Sequence, residues 1–91
     1  MNFENYAKTI TDLASKDPRR PSLKVLSYLE GLNEQAEIIT RLLSMPSQDD
    51  SKMLCESIGV ALAYVVLIAT ELGYSVEEIT DLNLNILGVG K

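Results

Sequence analysis

Between Glu56 and Glu71 the chain carries no charged residue for 14 positions, Ser57 to Thr70. Within this run Ile58, Val60, Ala61, Leu62, Ala63, Tyr64, Val65, Val66, Leu67, Ile68 and Ala69 point in every direction around a helical axis. A helix that is apolar all round has to sit at the centre of a fold, because no side of it can face water without cost. The run falls short of the roughly 18 to 20 residues that cross a bilayer, so it reads as a buried helix with no membrane role. In a chain of 91 residues the remaining helices can scarcely cover it. Part of it is therefore expected to pack against a second copy, making the protein a homo-oligomer, either dimer or tetramer.

The other segments supply three helices. Phe3, Tyr6, Ala7, Ile10, Leu13 and Ala14 recur at helical spacing, with Glu4, Lys8, Thr11 and Asp12 on the other face, which predicts a first helix over roughly residues 2 to 15. Pro18 and Pro21 break the period, and Pro21 suits the first turn of a second helix. That helix should reach about Leu43, with Val25, Leu29, Leu32, Ala36, Ile39 and Leu43 as its apolar stripe. Gly31 lies inside it, which weakens it by about 1 kcal/mol relative to Ala and marks close packing or a bend. Met45-Pro46 ends it, and Ser47-Gln48-Asp49-Asp50 offers a start for the third helix, which runs to about Leu72. Gly73 suits a left-handed stop, and Ser75-Val76-Glu77-Glu78 has capping-box spacing for a fourth helix that buries Ile79, Leu82 and Ile86 and fades near Gly88 and Gly90. No strand alternation competes. The expected fold class is all-α, a four-helix bundle, with residues 1–91 as one domain.

Charge and residue content exclude several functions. Thirteen acids against eight bases give a net charge of −5, unsuited to a nucleic-acid backbone. Histidine is absent, so Ser-His or Cys-His catalysis and imidazole metal ligands are unavailable within one chain. Cys55 is the sole cysteine, and the N-terminus has neither a basic start nor a long apolar stretch, so a reducing, cytoplasmic setting is expected.

Two clusters remain as candidate sites. Lys16, Arg19, Arg20 and Lys24 gather four of the eight bases around the proline loop, where a phosphorylated ligand would meet arginine forks. A solvated helix junction is the more ordinary explanation of such exposed charge. Glu34 and Glu37, three residues apart on the second helix, bring two carboxylates within about 5 to 6 Å at Cβ, close enough to share a divalent cation. Mg²⁺ is the natural hard cation for such oxygens, but it requires octahedral coordination and more ligands than these two. As an alternative, Glu30, Glu34, Glu37 and Arg41 form an ordinary polar face opposite the apolar stripe, with Glu37 and Arg41 spaced for a surface ion pair.

With these residues in view, the chain resembles the MazG-like family, the all-α nucleoside triphosphate pyrophosphohydrolases. The opening Met1 to Tyr6 is similar to the family's first helix, and Leu29 to Leu43 to its second, where Glu34 and Glu37 match the Glu-x-x-Glu metal motif. Glu56 to Tyr64, continuing through Glu71-Leu72-Gly73-Tyr74-Ser75 to Asn83, resembles the third helix, the glycine turn and the capped fourth helix with its asparagine. The resemblance implies Mg²⁺ held by four acids from two helices and a nucleotide ligand cleaved to monophosphate and pyrophosphate, with Asn83 toward the substrate; Arg19, Arg20 and Lys24 of the basic cluster are the candidates to hold its phosphates. The metals would neutralise phosphate charge and activate water.

The sequence departs from that pattern at one place. The family's second motif, Glu-x-x-Asp, falls on Ser57-Ile58-Gly59-Val60, so both carboxylates are missing, and Glu56 is rotated about 100° away from the direction Ser57 takes. A basic residue usual after the asparagine is also replaced, by Ile86. The expectation is therefore the fold without the full activity, no residue in a catalytic role, and work done through nucleotide binding or protein contacts. The alternative is an active Mg²⁺-dependent pyrophosphohydrolase with a rearranged metal site that adds Glu56.

Overall fold

The computed structural model describes residues 2–44 and 50–88, and these form four helices: α1 (Phe3–Ala14), α2 (Pro21–Ser44), α3 (Asp50–Glu71) and α4 (Val76–Ile86). Among the described residues there is no strand, so the chain is all-α. The proposed end of the second helix at Met45-Pro46, the start signal at Ser47 and the closing Gly90 lie outside the described residues.

Local chemistry accounts for the helix ends. Asn2 caps α1 by accepting from the Asn5 amide at 2.8 Å, a cap that the apolar periodicity did not single out. Pro21 opens α2 as expected. After α3, Gly73 takes φ +88°, which L side chains rarely adopt, and the Tyr74 amide donates back to the Ala69 carbonyl at 2.9 Å. The chain is thereby turned sharply into α4, whose capping box is complete: the Glu78 amide donates to Ser75 Oγ and the Ser75 amide to the Glu78 carboxylate.

Packing is organised by α3. Helix α2 lies antiparallel along it, and the two touch through Lys24 with Glu71 and through Gly31 with Tyr64. A Cβ at position 31 would run into the Tyr64 ring, so Gly31 serves close packing, one of the two roles expected of it. Tyr28 stands beside the same ring, with centroids 6.3 Å apart. Helix α1 crosses another side of α3: the Tyr6 hydroxyl donates to the Gly59 carbonyl at 3.4 Å, and Thr11 and Thr70 share a hydrogen bond at 3.3 Å. Thr11, expected on the outer polar face of α1, is thus half-buried at the contact.

The apolar stripe expected of α2 is covered only in part, with Val25, Leu32 and Ile39 half-buried. The contacting line runs through Lys24, Tyr28 and Gly31 and on to half-buried Gln35, Ile38 and Leu42, while Leu29 and Leu43 of the expected stripe are exposed. Helix α4 buries none of its residues, so Ile79, Leu82 and Ile86, expected as its packed side, are open to solvent. Among the described residues the buried apolar core is small: Ala14, Tyr28, Val66 and Ala69. By length and composition α3 is long and apolar enough to cross a membrane, because its 22 residues extend beyond the uncharged run, and little of it is buried within the chain.

Candidate functional site

The two charged clusters are built by different parts of the hairpin. On α2, Glu30 precedes the contact residue Gly31 by one position, about 100° of rotation, so the line Glu30, Glu34, Glu37 turns toward the side of the hairpin on which α1 lies. Glu34 and Glu37 are both exposed. Across from α2, Ser57 is buried and Val60 is partly exposed, so the helix expected to complete a metal site presents a hydroxyl and an isopropyl group. Among the described residues no three His, Cys, Asp or Glu side chains gather where they could hold a metal ion. Two exposed carboxylates supply too few oxygens for octahedral Mg²⁺, and this donor set does not fit a protein-held metal cluster. Glu56 faces elsewhere and lies 4.0 Å from Lys52 on its own helix. The ion pairs among the described residues do not include Glu37 with Arg41.

The basic cluster is divided by the fold. Arg19 folds back on Asp17, donating from Nε to both carboxylate oxygens at 2.9 and 3.0 Å, and its amide caps the same group. These bonds from the Arg19 side chain and backbone lower the Asp17 pKa from 3.8 to about 2, and Asp17 in turn raises that of Arg19. Lys24 leaves the loop altogether. Its ammonium is buried under the end of α1, donating to the Ala14 carbonyl and to Glu71 Oε1, each at 3.2 Å. An ammonium so enclosed joins three helices and does not present itself to a phosphate. Arg20 remains exposed at the start of α2, and Asn83 is exposed on α4. Arg20, Asn83, Glu34 and Glu37 line none of the four best-formed grooves among the described residues.

Glu71 is the residue that sequence reasoning passed over. Its signal was present, since an acid closing a long uncharged run in a central helix must find a cation, and Lys24 is the base that the antiparallel register brings to it. Burial of the neighbouring Tyr28 raises its phenol pKa, with Glu71 adding to the effect.

An open groove of about 580 Å³ lies between α1 and the start of α4, lined by Glu4, Lys8, Thr11, Thr70 and the turn from Gly73 to Glu78. At its α4 end the Ser75 and Glu78 amides are already engaged by the capping box. Compared with known protein families, curated proteins and solved structures, the chain matches none.

Proposed function

We propose that this protein is a MazG-like helical subunit that works through its surfaces, as a homo-oligomer that contacts protein partners or a nucleotide, and not as a Mg²⁺-dependent pyrophosphohydrolase. The observation that carries this reading is the carboxylate count: Glu34 and Glu37 stand exposed on α2, and Ser57 and Val60 stand where opposing acids would be required. Without those acids the face holds no Mg²⁺, and a triphosphate brought to it meets the uncompensated charges of Glu34 and Glu37, which repel it. Lys16 and Arg20 are the exposed bases of the original cluster that remain for an anionic ligand.

The test is to mix the purified protein with Mg²⁺ and a panel of nucleoside triphosphates and to follow pyrophosphate release and binding heat. The expected result is no release above buffer. Release that disappears in Glu37→Ala would overturn the proposal and establish the rearranged enzyme.

A further inference from the structure

Helix α1 is tied to the α2–α3 hairpin near its start, at its middle and at its end. The Tyr6 hydroxyl donates to the Gly59 carbonyl at 3.4 Å, Thr11 and Thr70 share a hydrogen bond at 3.3 Å, and the Lys24 ammonium donates to the Ala14 carbonyl at 3.2 Å. Apolar contact adds less. Ala14 is buried and Tyr6, Ala7 and Ile10 are half-buried, but Phe3 and Leu13 are 43% and 61% exposed.

Each of these ties can be undone without leaving a buried polar group alone. Within their own helices Thr11 keeps the Ala7 carbonyl as acceptor at 2.8 Å and Thr70 the Val66 carbonyl at 2.9 Å. Lys24 keeps Glu71, and Gly59 is exposed, so that water replaces the Tyr6 hydroxyl at its carbonyl. A hydrogen bond exchanged for another or for water costs far less than a buried group with no partner. Releasing α2 instead would take Lys24 from Glu71, whose side chains are 8% and 12% exposed, and would empty the place in which the Tyr64 ring sits against Gly31. Helix α1 is therefore the element that leaves first.

The loop after Ala14 can serve as its hinge, because the bonds from Arg19 to Asp17 are internal to that loop and make no demand on α1. At 12 residues α1 is also at the length where a helix alone in water is marginal. Once detached it loses its helix, and its amides become exchangeable together.

We propose that α1 is a strap that opens as a unit from an intact α2–α3 hairpin. Gly59, Val66 and Thr70 fall on one face of α3 at helical spacing, the face that Tyr6 and Thr11 touch. Opening uncovers Val66, 2% exposed beneath the closed strap, on the side of the hairpin toward which Glu34 and Glu37 turn. The strap thus controls access to that side. This goes beyond the proposed function and does not depend on it.

Native-state hydrogen exchange of the full chain, followed by NMR over a series of low urea concentrations, tests the proposal. The amides of Ile10, Thr11 and Ala14 are expected to exchange through one shared opening, roughly 100-fold or more faster than those of Val66 and Ala69, and with a weaker urea dependence because less surface is exposed. Ile10→Ala removes apolar contact that exists only with the strap closed, so it should speed both groups alike, about tenfold. Tyr64→Leu weakens the hairpin in the closed and open states equally; it should speed Val66 and Ala69 about tenfold and leave the α1 group within about twofold. If that variant fails to fold by circular dichroism, Gly31→Ala perturbs the same contact and should show the same split. One common rate and urea slope for α1 and α3, or an equal response of both groups to the hairpin variant, would mean that α1 leaves only in global unfolding and overturns the proposal. Exchange that proceeds residue by residue inward from Phe3, with no shared rate, is end fraying and overturns it too.

Discussion

Replacing Lys24 with Met keeps the length of the side chain and removes its ammonium. In the structure that ammonium touches Glu71 and the Ala14 carbonyl, each at 3.2 Å, with the two charged side chains only 8% and 12% exposed. Losing one member of a buried pair costs about 3 to 5 kcal/mol, because the surviving charge stays desolvated without a partner. The contacts are long for charge-assisted hydrogen bonds and Glu71 keeps some water, so the lower end applies, about 3 kcal/mol. For a chain of this size that lowers the melting temperature by about 12 °C or more.

Thermal and urea unfolding at one fixed protein concentration measure the loss, since self-association would shift both. The double variant Lys24→Met/Glu71→Leu should return to within about 1 kcal/mol of wild type, because no charge is then stranded. A loss below about 1 kcal/mol for Lys24→Met, the range of an exposed pair, would refute the reasoning and return the lysine to the surface as a ligand-binding group.

Three further outcomes follow from local geometry. Gly31→Ala gains about 1 kcal/mol of helix propensity but drives a methyl into the Tyr64 ring, an overpacking of about 1 to 3 kcal/mol; denaturant titration should show a net loss that becomes a gain in a Tyr64→Leu background. Asp17 should titrate near 2 by carboxyl NMR; its folded value lies below the unfolded one, so the stabilisation is complete above about pH 4 and is lost as pH falls through 2, and Arg19→Ala should move the titration back toward 3.8. Ser75→Ala removes the α4 cap at a cost of about 1 kcal/mol; since α4 buries no residue, the effect should appear as faster amide exchange at Glu78 with little change in global unfolding.

Helix existence and helix ends were legible in the chain because their causes are local. Gly73 and the Ser75–Glu78 box act through atoms within four residues of each other, and the structure forms both. Pro21 needs no partner to start α2. Gly31 could be flagged from sequence as a place of close approach, although only the structure supplies Tyr64 as the group that approaches.

Which face of each helix turns inward was decided elsewhere. The apolar stripe from Val25 to Leu43 was the better hydrophobic choice for α2, yet Leu29 and Leu43 stay exposed and the line through Lys24, Tyr28 and Gly31 meets α3. A glycine admits a ring, and a buried lysine meets a buried glutamate 47 positions away, gains that hydropathy along one helix does not register. The same holds for the candidate site. The deficit of carboxylates at Ser57 and Val60 is a property of composition and position, readable from the sequence. The removal of Lys24 from the basic cluster exists only once three helices are packed, because burial and rotation about an axis are relations between segments and are written in no single one.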